Sequence, residues 1–450
     1  MYNIIMYAIQ FGIAVGSLFN EKLRKMWRGE QEAVRILREK VEPNAQYVWF
    51  HAASLGEFEQ GRPLIEQIRK DYPQYKILLT FFSPSGYEVR KNYEGADIIT
   101  YLPIDTVGNA RRFLRAVRPV MAFFIKYEFW YNYLHVLQHR GTPAYSVSSI
   151  FRPDQIFFKW YGSGYGRVLR CFSRFFVQNE ESKDLLSKIG ISDAVVVGDT
   201  RFDRVLQIKE ASKKLPLVEK FVNIDATDRK KVFVAGSSWQ PDEEIFLKYF
   251  NEHKDWKLII APHVIGEEHL KTILSLIKDK KVVRYTQATE ENVADADVLI
   301  IDCFGLLSSI YHYGDVAYVG GGFGVGIHNV LEAAVWDMPV LFGPNNKHFA
   351  EAQGLLRDGG GFGVGIHNVL EAAVWDMPVL FGPNNKHFAE AKGLLRDGGG
   401  FEVFDFESFS LLMNRFAEDE EYRTACGALA GAYVESLAGA TNKVLSNVKL

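Results

Sequence analysis

The sequence predicts an α/β protein with two Rossmann-like domains facing a cleft, preceded by an apolar N-terminal helix. Short apolar strands alternate with helical segments, and this alternation occurs in two separate series along the 450 residues. A chain of this length, with 48% hydrophobic and 24% charged residues, is long enough for two ordinary globular domains.

Composition limits the partners of the chain. A net charge of −3 argues against a general nucleic-acid binder, because neutralising a phosphate backbone requires an excess of lysine and arginine. The three cysteines share no CxxC spacing, which excludes a zinc ribbon and fits a reducing compartment.

The first element is the apolar segment MYNIIMYAIQFGIAVGSLFN. About eighteen helical residues reach roughly 27 Å, close to the hydrocarbon thickness of a bilayer. Basic residues from Lys22 to Arg28 follow this segment, whereas they precede the apolar run of a cleaved signal peptide. We therefore predict that residues 1–28 are a retained membrane anchor, spanning the bilayer or lying in its interface, with the next domain on the cytoplasmic side. A buried core helix is the alternative.

Two α/β domains follow this segment. Residues 29–208 contain the strand-like runs YVWFHAA, KILLTFF, ADIITYLP and VMAFFIKY, with helical segments between them. Residues 228–450 contain KKVFVAGSS, WKLIIAPH, KVVRY, DVLIID, DVAYVGGG, PVLFG and FEVFD. Such alternation indicates parallel βαβ units, and the nearly continuous apolar strands indicate sheets covered on both faces. The charged segment between them, roughly residues 207–229, is the predicted hinge.

A tandem duplication lies in the second domain. Residues 320–358 and 359–397 are the same sequence except that Gln353 is replaced by Lys392. Structural repeats diverge and need three or more copies to bury a core, so this identity indicates a recent tandem duplication or an error of sequence assembly.

The duplication leaves two candidate arrangements of the sheet. The first copy directly follows the strand DVAYVGGG, which favours Asn329 and Glu332 over their second-copy counterparts Asn368 and Glu371. The second copy leads into FEVFD, so the sheet must either exclude one helix-strand-helix unit or take in an additional strand. We expect loss of stability and, as a further consequence, of activity, because an exposed apolar strand promotes aggregation.

Polar or glycine-rich loops follow six of the predicted strands. The carboxyl ends of parallel strands meet at one edge of a sheet, where ligands bind in doubly wound folds. The loops therefore predict one composite site, and their sequences are HAASLGE, EFW, DTRFDR, SSW, PH and GGGFGVGIHN.

The motifs HAASLGE, YEFW, VVVGDTRFD, AGSSW, APH and HNVLEAA together resemble the lipid A-Kdo transferase family over nearly the whole chain. Members of this family move 3-deoxy-D-manno-octulosonic acid (Kdo) from CMP-Kdo to the lipid A precursor, lipid IVA, in lipopolysaccharide core biosynthesis. The resemblance implies a GT-B glycosyltransferase that inverts configuration, needs no metal or cofactor and lies on the cytoplasmic face of the inner membrane.

The resemblance also implies roles for residues of the first domain. Glu57 is the general base, because a sugar hydroxyl is a poor nucleophile; the alternative is a first-turn glutamate stabilised by the helix dipole. Arg201 stabilises the transition state at the leaving phosphate; the alternative is a surface ion pair. Lys126 occupies a position where better-known members carry glutamate, and Glu128 is the nearest acid that could replace it.

In the second domain, the resemblance implies a donor-nucleotide site. Glycines let the backbone turn closely around phosphate, and the helix that follows supplies free N–H groups. Glu332 would grip the ribose, while Pro262 and His263 would line the cytosine side. His328 and His348 lack a paired acid at ligand spacing, so we predict no metal. The other predicted donor residues are Ser237, Phe304, Gly305, Gly321, Gly322, Asn329 and Leu331.

Two further hypotheses remain open from the sequence. The chain could be another nucleotide-sugar transferase of the same fold with a membrane-lipid acceptor. It could also be an inactive duplicated protein that binds the membrane surface without catalysis.

Overall fold

The computed structural model describes residues 2–212, 214–226, 228–321, 341–342, 362–363, 369–383, 385 and 388–450. These residues form two compact units. The first contains the residues up to Arg204 together with Ala438–Leu450, and the second contains the described residues from Val205 to Leu437.

The first unit is built on a parallel sheet of seven strands. Their order is β3-β2-β1-β4-β5-β6-β7, so the order reverses between β1 and β4. The prediction of a doubly wound sheet is confirmed, and its switch point lies beside β1 and β4. The strands are β1 Gln46–Ala52, β2 Tyr75–Phe81, β3 Ile98–Tyr101, β4 Met121–Ile125, β5 Ala144–Ser149, β6 Arg174–Val177 and β7 Ala194–Val196.

Helices cover both faces of this sheet. Trp49 of β1 is fully buried and contacts the rings of Phe113 and Phe124 at centroid distances of 5.2 and 5.1 Å. The helices are α1 Tyr2–Gly16, α2 Glu21–Lys40, α3 Leu55–Asp71, α4 Pro84–Arg90, α5 Val107–Val117, α6 Tyr131–His139, α7 Ser163–Leu169, α8 Glu180–Lys188 and α9 Thr200–Glu210, and a short 3-10 helix covers Ile156–Phe158.

The second unit contains another parallel sheet of seven strands, in the order β10-β11-β9-β8-β12-β15-β16. A separate pair, β13 and β14, completes its described strands. The strands are β8 Lys231–Ser238, β9 Trp256–Pro262, β10 Val282–Arg284, β11 Val298–Ile300, β12 Val316–Val319, β13 Leu341–Phe342, β14 Phe362–Gly363, β15 Val379–Phe381 and β16 Gly400–Glu402.

The remaining helices belong to the second unit, except the last, which returns to the first. Asp203 of α9 binds this last helix, since it accepts hydrogen bonds from the backbone N–H groups of Gly439 and Thr441 at 2.5 and 2.6 Å. The helices are α10 Pro216–Val222, α11 Gln240–Glu252, α12 Glu267–Leu276, α13 Glu290–Ala294, α14 Leu307–Ile310, α15 Leu370–Ala373, α16 Ala389–Asp397, α17 Phe406–Glu418, α18 Glu420–Leu437 and α19 Ala440–Leu445.

The second copy of the duplication supplies the strand that completes the main sheet. β15 pairs in parallel with β12 and with β16, with Leu380 opposite Tyr318 and Phe401. Leu341, the first-copy equivalent of Leu380, instead pairs with Phe362 in the two-stranded sheet. The described strands therefore show the first predicted arrangement, in which one copy of the duplication stays outside the seven-stranded sheet.

The N-terminal segment differs from the prediction. α1 has 15 residues and ends at Gly16, and Asn20 then caps α2 by accepting a hydrogen bond from Leu23 N. Within the described part of the chain, none of the helices combines the length and apolar character needed to cross a bilayer. A bilayer-spanning anchor over residues 1–28 is therefore not supported by the described helices. The alternative of a core helix is also wrong, because Ile13 is the one buried residue of α1.

Candidate active site

Glu57 lies in the first turn of α3, directly after the carboxyl end of β1. Its Oε2 accepts a hydrogen bond of 2.9 Å from the backbone N–H of Ser54, so Glu57 also forms part of the helix N-terminus. This contact is the one expected of the alternative, a glutamate in the first turn of a helix. It fixes the carboxylate at the switch point of the first sheet.

The surroundings of Glu57 favour its protonated form. Burial and the nearby Glu128 carboxylate raise the pKa of Glu57 to about 8, against the opposing effects of the Lys126 ammonium and backbone hydrogen bonds. A carboxyl group with a pKa near the working pH can accept and release a proton. The perturbed pKa and the position at a sheet switch point make Glu57 a functional-site candidate.

Lys126 and Glu128 follow β4, the neighbour of β1 in the sheet. Lys126 has a left-handed backbone (φ 61°), which is uncommon for a lysine, and Val147 O and Ser149 Oγ hold its peptide groups. Glu128 Oε2 lies 3.1 Å from His51 Nε2 and 2.5 Å from Trp130 Nε1. The structure thus brings together Glu57, Lys126 and Glu128.

Arg201 is held by Asp199 in the loop and first turn that follow β7. Its Nε and a terminal nitrogen lie 2.9 and 2.8 Å from Asp199 Oδ2. Burial raises the pKa of Asp199, but Arg201 outweighs this effect and the net pKa is lowered. The predicted alternative, an ion pair, is therefore present, although Asp199 is only 7% exposed and the pair is not a surface one.

Polar contacts connect α3 to the start of α9. Thr200 Oγ1 donates to Gln60 O at 2.6 Å, and Gln60 Nε2 donates to Asp199 Oδ1 at 3.2 Å. Arg204 Nε donates to Glu59 Oε2 at 2.8 Å. These contacts fix the relative positions of the helices that carry Glu57 and Arg201.

In the second unit, the loops after β8 and β12 pack against each other. A Cβ on Gly320 would lie 2.4 Å from Ser237 O and 2.6 Å from Ser238 Cα, so only glycine fits there. Ser237 has a left-handed backbone (φ 51°). Asp242 of α11 fastens the loops together, since its Oδ2 accepts from Gly321 N and Trp239 N at 3.0 and 2.9 Å.

Pro262 and His263 follow β9, beside these loops. The His263 ring stacks on Trp239 at 4.5 Å between centroids and 22° between planes. Burial, with a contribution from His269, lowers the pKa of His263 to about 4, so this ring is neutral at physiological pH. Trp239 and His263 therefore form a stacked aromatic pair.

The other predicted donor residues are only partly described. Glu371 of the second copy lies near Tyr311, whose pKa is raised well above its usual range by burial and by this carboxylate. Phe304 is 51% exposed, and Gly305 has a left-handed backbone (φ 85°). The predicted residues outside the described residues are Gly322, His328, Asn329, Leu331, Glu332, His348 and Asn368.

Several residues of the site belong to the sequence motifs but have no predicted function. His51 is the first letter of HAASLGE, Asp199 precedes Arg201, and Trp239 ends AGSSW. Asp242, three residues beyond Trp239, lies outside the motifs and was not predicted as a site residue. Their common signal is a position at or just after the carboxyl end of a strand, where doubly wound folds bind ligands.

Two parallel Rossmann-like sheets with polar loops at their switch points define the GT-B-like class of α/β proteins. Solved structures share this fold. A UDP-GlcNAc 2-epimerase from Neisseria meningitidis is 14% identical, covers 89% of this chain and 99% of its own, and has a TM-score of 0.56. MurG from Acinetobacter baumannii is 11% identical, with 90% and 99% of the chains covered and a TM-score of 0.51.

Sequence comparison then shows which family the chain is similar to. Residues 27–204 match the family model of 3-deoxy-D-manno-octulosonic-acid transferase (kdotransferase). The Rickettsia felis enzyme of this name is 27% identical over 368 residues, 76% of this chain and 77% of the relative. The Aquifex aeolicus enzyme is 27% identical over 320 residues, 68% and 80% of the two chains. The match to this model and to relatives of this name confirms the resemblance to the Kdo transferases.

Proposed function

We propose that the protein is an inverting transferase that moves Kdo from CMP-Kdo to the lipid A precursor, lipid IVA. The observation that carries the proposal is the Glu57 carboxyl group, with its pKa raised to about 8, at the switch point of the first sheet. The family model that matches residues 27–204 and the names of the curated relatives support Kdo as the transferred sugar.

The first unit supplies the acid-base chemistry of this proposal. Glu57 removes the proton of the acceptor hydroxyl as the hydroxyl oxygen attacks the anomeric carbon of Kdo, and CMP leaves with the electron pair of the broken bond. Arg201, oriented by Asp199, stabilises the negative charge that develops on the leaving phosphate. Lys126 favours the ionised form of Glu57, the form that acts as base.

The second unit supplies the nucleotide site of the proposal. The stacked pair of Trp239 and His263 suits a nucleobase, because the ring of a neutral base stacks on aromatic faces. The backbone of the loops at Ser237 and Gly321 would approach the phosphate. We assign the ribose contact to Glu371, because the second copy supplies the strand next to β12.

The proposed acceptor is amphipathic, and the first unit exposes apolar side chains that suit it. On α1 and the turn after it, Ile4, Phe11 and Phe19 are 74%, 72% and 85% exposed. In a second segment, Trp160 is 92% and Tyr161 61% exposed. Tryptophan and tyrosine favour the membrane interface, so we propose that both segments contact the cytoplasmic face of the inner membrane.

Substitution of Glu57 tests the reaction. With CMP-Kdo and lipid IVA as substrates, Glu57→Gln is expected to lower kcat by about 10²- to 10⁴-fold, because the amide cannot accept the proton. Glu39→Gln, on the exposed surface of α2, is the control and should keep the wild-type rate. Unchanged turnover of Glu57→Gln would remove the proposed base.

Ligand-induced stabilisation tests the donor. A ligand that binds only the native state stabilises it by about 2.7 kcal/mol at 100 times its Kd, so CMP should raise the Tm and UDP should not. Stabilisation by UDP instead would favour another nucleotide-sugar transferase. If neither CMP-Kdo nor a UDP-sugar is turned over by the wild-type chain but the one-copy chain is active, the inactive duplicated protein becomes the correct description.

A further inference from the structure

His51 lies at the carboxyl end of β1 with no exposed surface, and both of its ring nitrogens have partners. Nδ1 lies 2.9 Å from Thr80 Oγ1 and 3.2 Å from Thr80 O. Nε2 lies 3.1 Å from Glu128 Oε2. The proposed function gives this histidine no role.

The partners of the ring determine where its protons are. A carbonyl oxygen only accepts hydrogen bonds, so the contact with Thr80 O favours the ring form with a proton on Nδ1. The Thr80 hydroxyl can accept from His51, because its own proton can be donated to Phe50 O at 3.2 Å. In either ring form, the contact between Nε2 and a carboxyl oxygen requires a proton between the two atoms. His51 and Glu128 therefore share one proton.

A second N–H group holds the same oxygen of Glu128. Trp130 Nε1 donates to Oε2 at 2.5 Å, and the Trp130 and His51 rings meet edge to face at 5.6 Å. Among the residues that the structure describes, no hydrogen bond engages the other oxygen, Oε1. Glu128 is thus fixed through one oxygen and keeps the other available, with 12% of its side chain exposed.

We propose that His51 is a positioning residue, which holds Glu128 through the shared proton so that Glu128 Oε1 accepts a hydrogen bond from a hydroxyl of the sugar acceptor. This inference rests on the proposed function. Glu128 takes no proton in the reaction, since the proton of the attacking hydroxyl goes to Glu57. His51 acts only through Glu128 and does not touch the acceptor.

The charges around the pair come from three segments. Glu57 of α3 and Lys126 after β4 interact with each other, and Glu57 also interacts with Glu128. Asp199, after β7, interacts electrostatically with Arg201 and with Lys126. The proton between His51 and Glu128 offsets part of the carboxylate charge that acts on Glu57.

A double-mutant cycle tests this inference in the full-length chain. His51→Gln and Glu128→Gln are compared singly and together, with lipid IVA varied at saturating CMP-Kdo. Each single substitution should reduce kcat/KM for the acceptor by about 10- to 100-fold, the effect of a misplaced contact. The double variant should be no slower than Glu128→Gln alone. A loss equal to the product of the two single losses would overturn the inference.

Two controls separate the role of His51 from folding and from the proposed reaction. His139→Gln, on the exposed end of α6, should leave the kinetics unchanged. The ¹⁵N resonance of His51 Nε2 should report a protonated, hydrogen-bonded nitrogen that changes in Glu128→Gln, and this readout needs neither turnover nor a His51 variant. A resonance that Glu128→Gln leaves unchanged overturns the inference even if the transferase activity is present. If the wild type lacks that activity, the proposed function fails independently.

Discussion

At the residue scale, the Glu57 carboxyl group is subject to opposing influences. Burial and Glu128 favour its protonated form, whereas Lys126 favours the ionised form that a general base requires. The pH dependence of turnover should report this balance.

We expect kcat/KM for the acceptor to rise with pH and level off above about 8, the pKa of Glu57. Below that pH, the ionised fraction falls about tenfold per pH unit. Glu128→Gln removes a repelling charge and should move the profile to lower pH. Lys126→Met removes an attracting charge and should move it to higher pH. Rate profiles that move in the same direction for both variants would contradict the assignment of Glu57.

At the element scale, contacts between loops build the proposed donor site. Gly320 at the end of β12 lies against the backbone of Ser237 and Ser238 after β8, and Asp242 of α11 binds both loops. The glycine is required here by close approach of another backbone segment. Backbone atoms cannot rotate away as a flexible side chain can.

Gly320→Ala should therefore lower the free energy of unfolding by about 1–3 kcal/mol, the usual cost of overpacking. It should also reduce the stabilisation by CMP, because the loops must separate to admit the methyl group. Chemical unfolding with and without CMP measures both effects. Gly12→Ala in α1 is the control and should not lower the free energy of unfolding, because a Cβ there meets nothing beyond its chain neighbours and its own helix backbone, and alanine favours a helix. Wild-type values for Gly320→Ala would show that the loops do not pack as described.

At the scale of the whole molecule, the two copies of the duplication have nearly the same sequence but occupy different places in the fold. The two copies differ only at Gln353 and Lys392, so their local preferences for helix and strand are the same. β15 of the second copy nevertheless lies between β12 and β16, while β13 of the first copy pairs with β14. The short connection from β15 to β16 distinguishes the copies, because neighbouring parallel strands are joined through one helix, α16.

Deletion of residues 359–397 should give a chain with the same seven-stranded second sheet, because the remaining copy is then followed directly by β16. We expect a Tm at least equal to that of the full chain and retained CMP-Kdo turnover. Deletion of residues 320–358 gives the same sequence with lysine in place of glutamine, so it serves as the matched control. One-copy chains that unfold at lower temperature than the full chain would show that the extra copy stabilises the fold.

Much of the fold could be predicted because its signals are local. Apolar runs separated by helical patterns predicted both parallel sheets, and the loops after the strands contained most of the site. The pairing of residues within those loops could not be predicted, because the partners are far apart in the sequence. His51 and Glu128 are separated by 77 positions, and Gln60 and Asp199 by 139. The apolar composition of the first twenty residues likewise gave no indication that α1 ends at Gly16.

By itself, the sequence determined the two α/β units, the order of their motifs and the resemblance to the Kdo transferases, because strand patterning and motif residues are properties of short segments. The tertiary structure alone decided that Asp199 holds Arg201, that His51 holds Glu128 and that the second copy supplies β15. Each of these outcomes depends on which distant segments meet at a sheet edge, and burial there sets both the pairing and the pKa values.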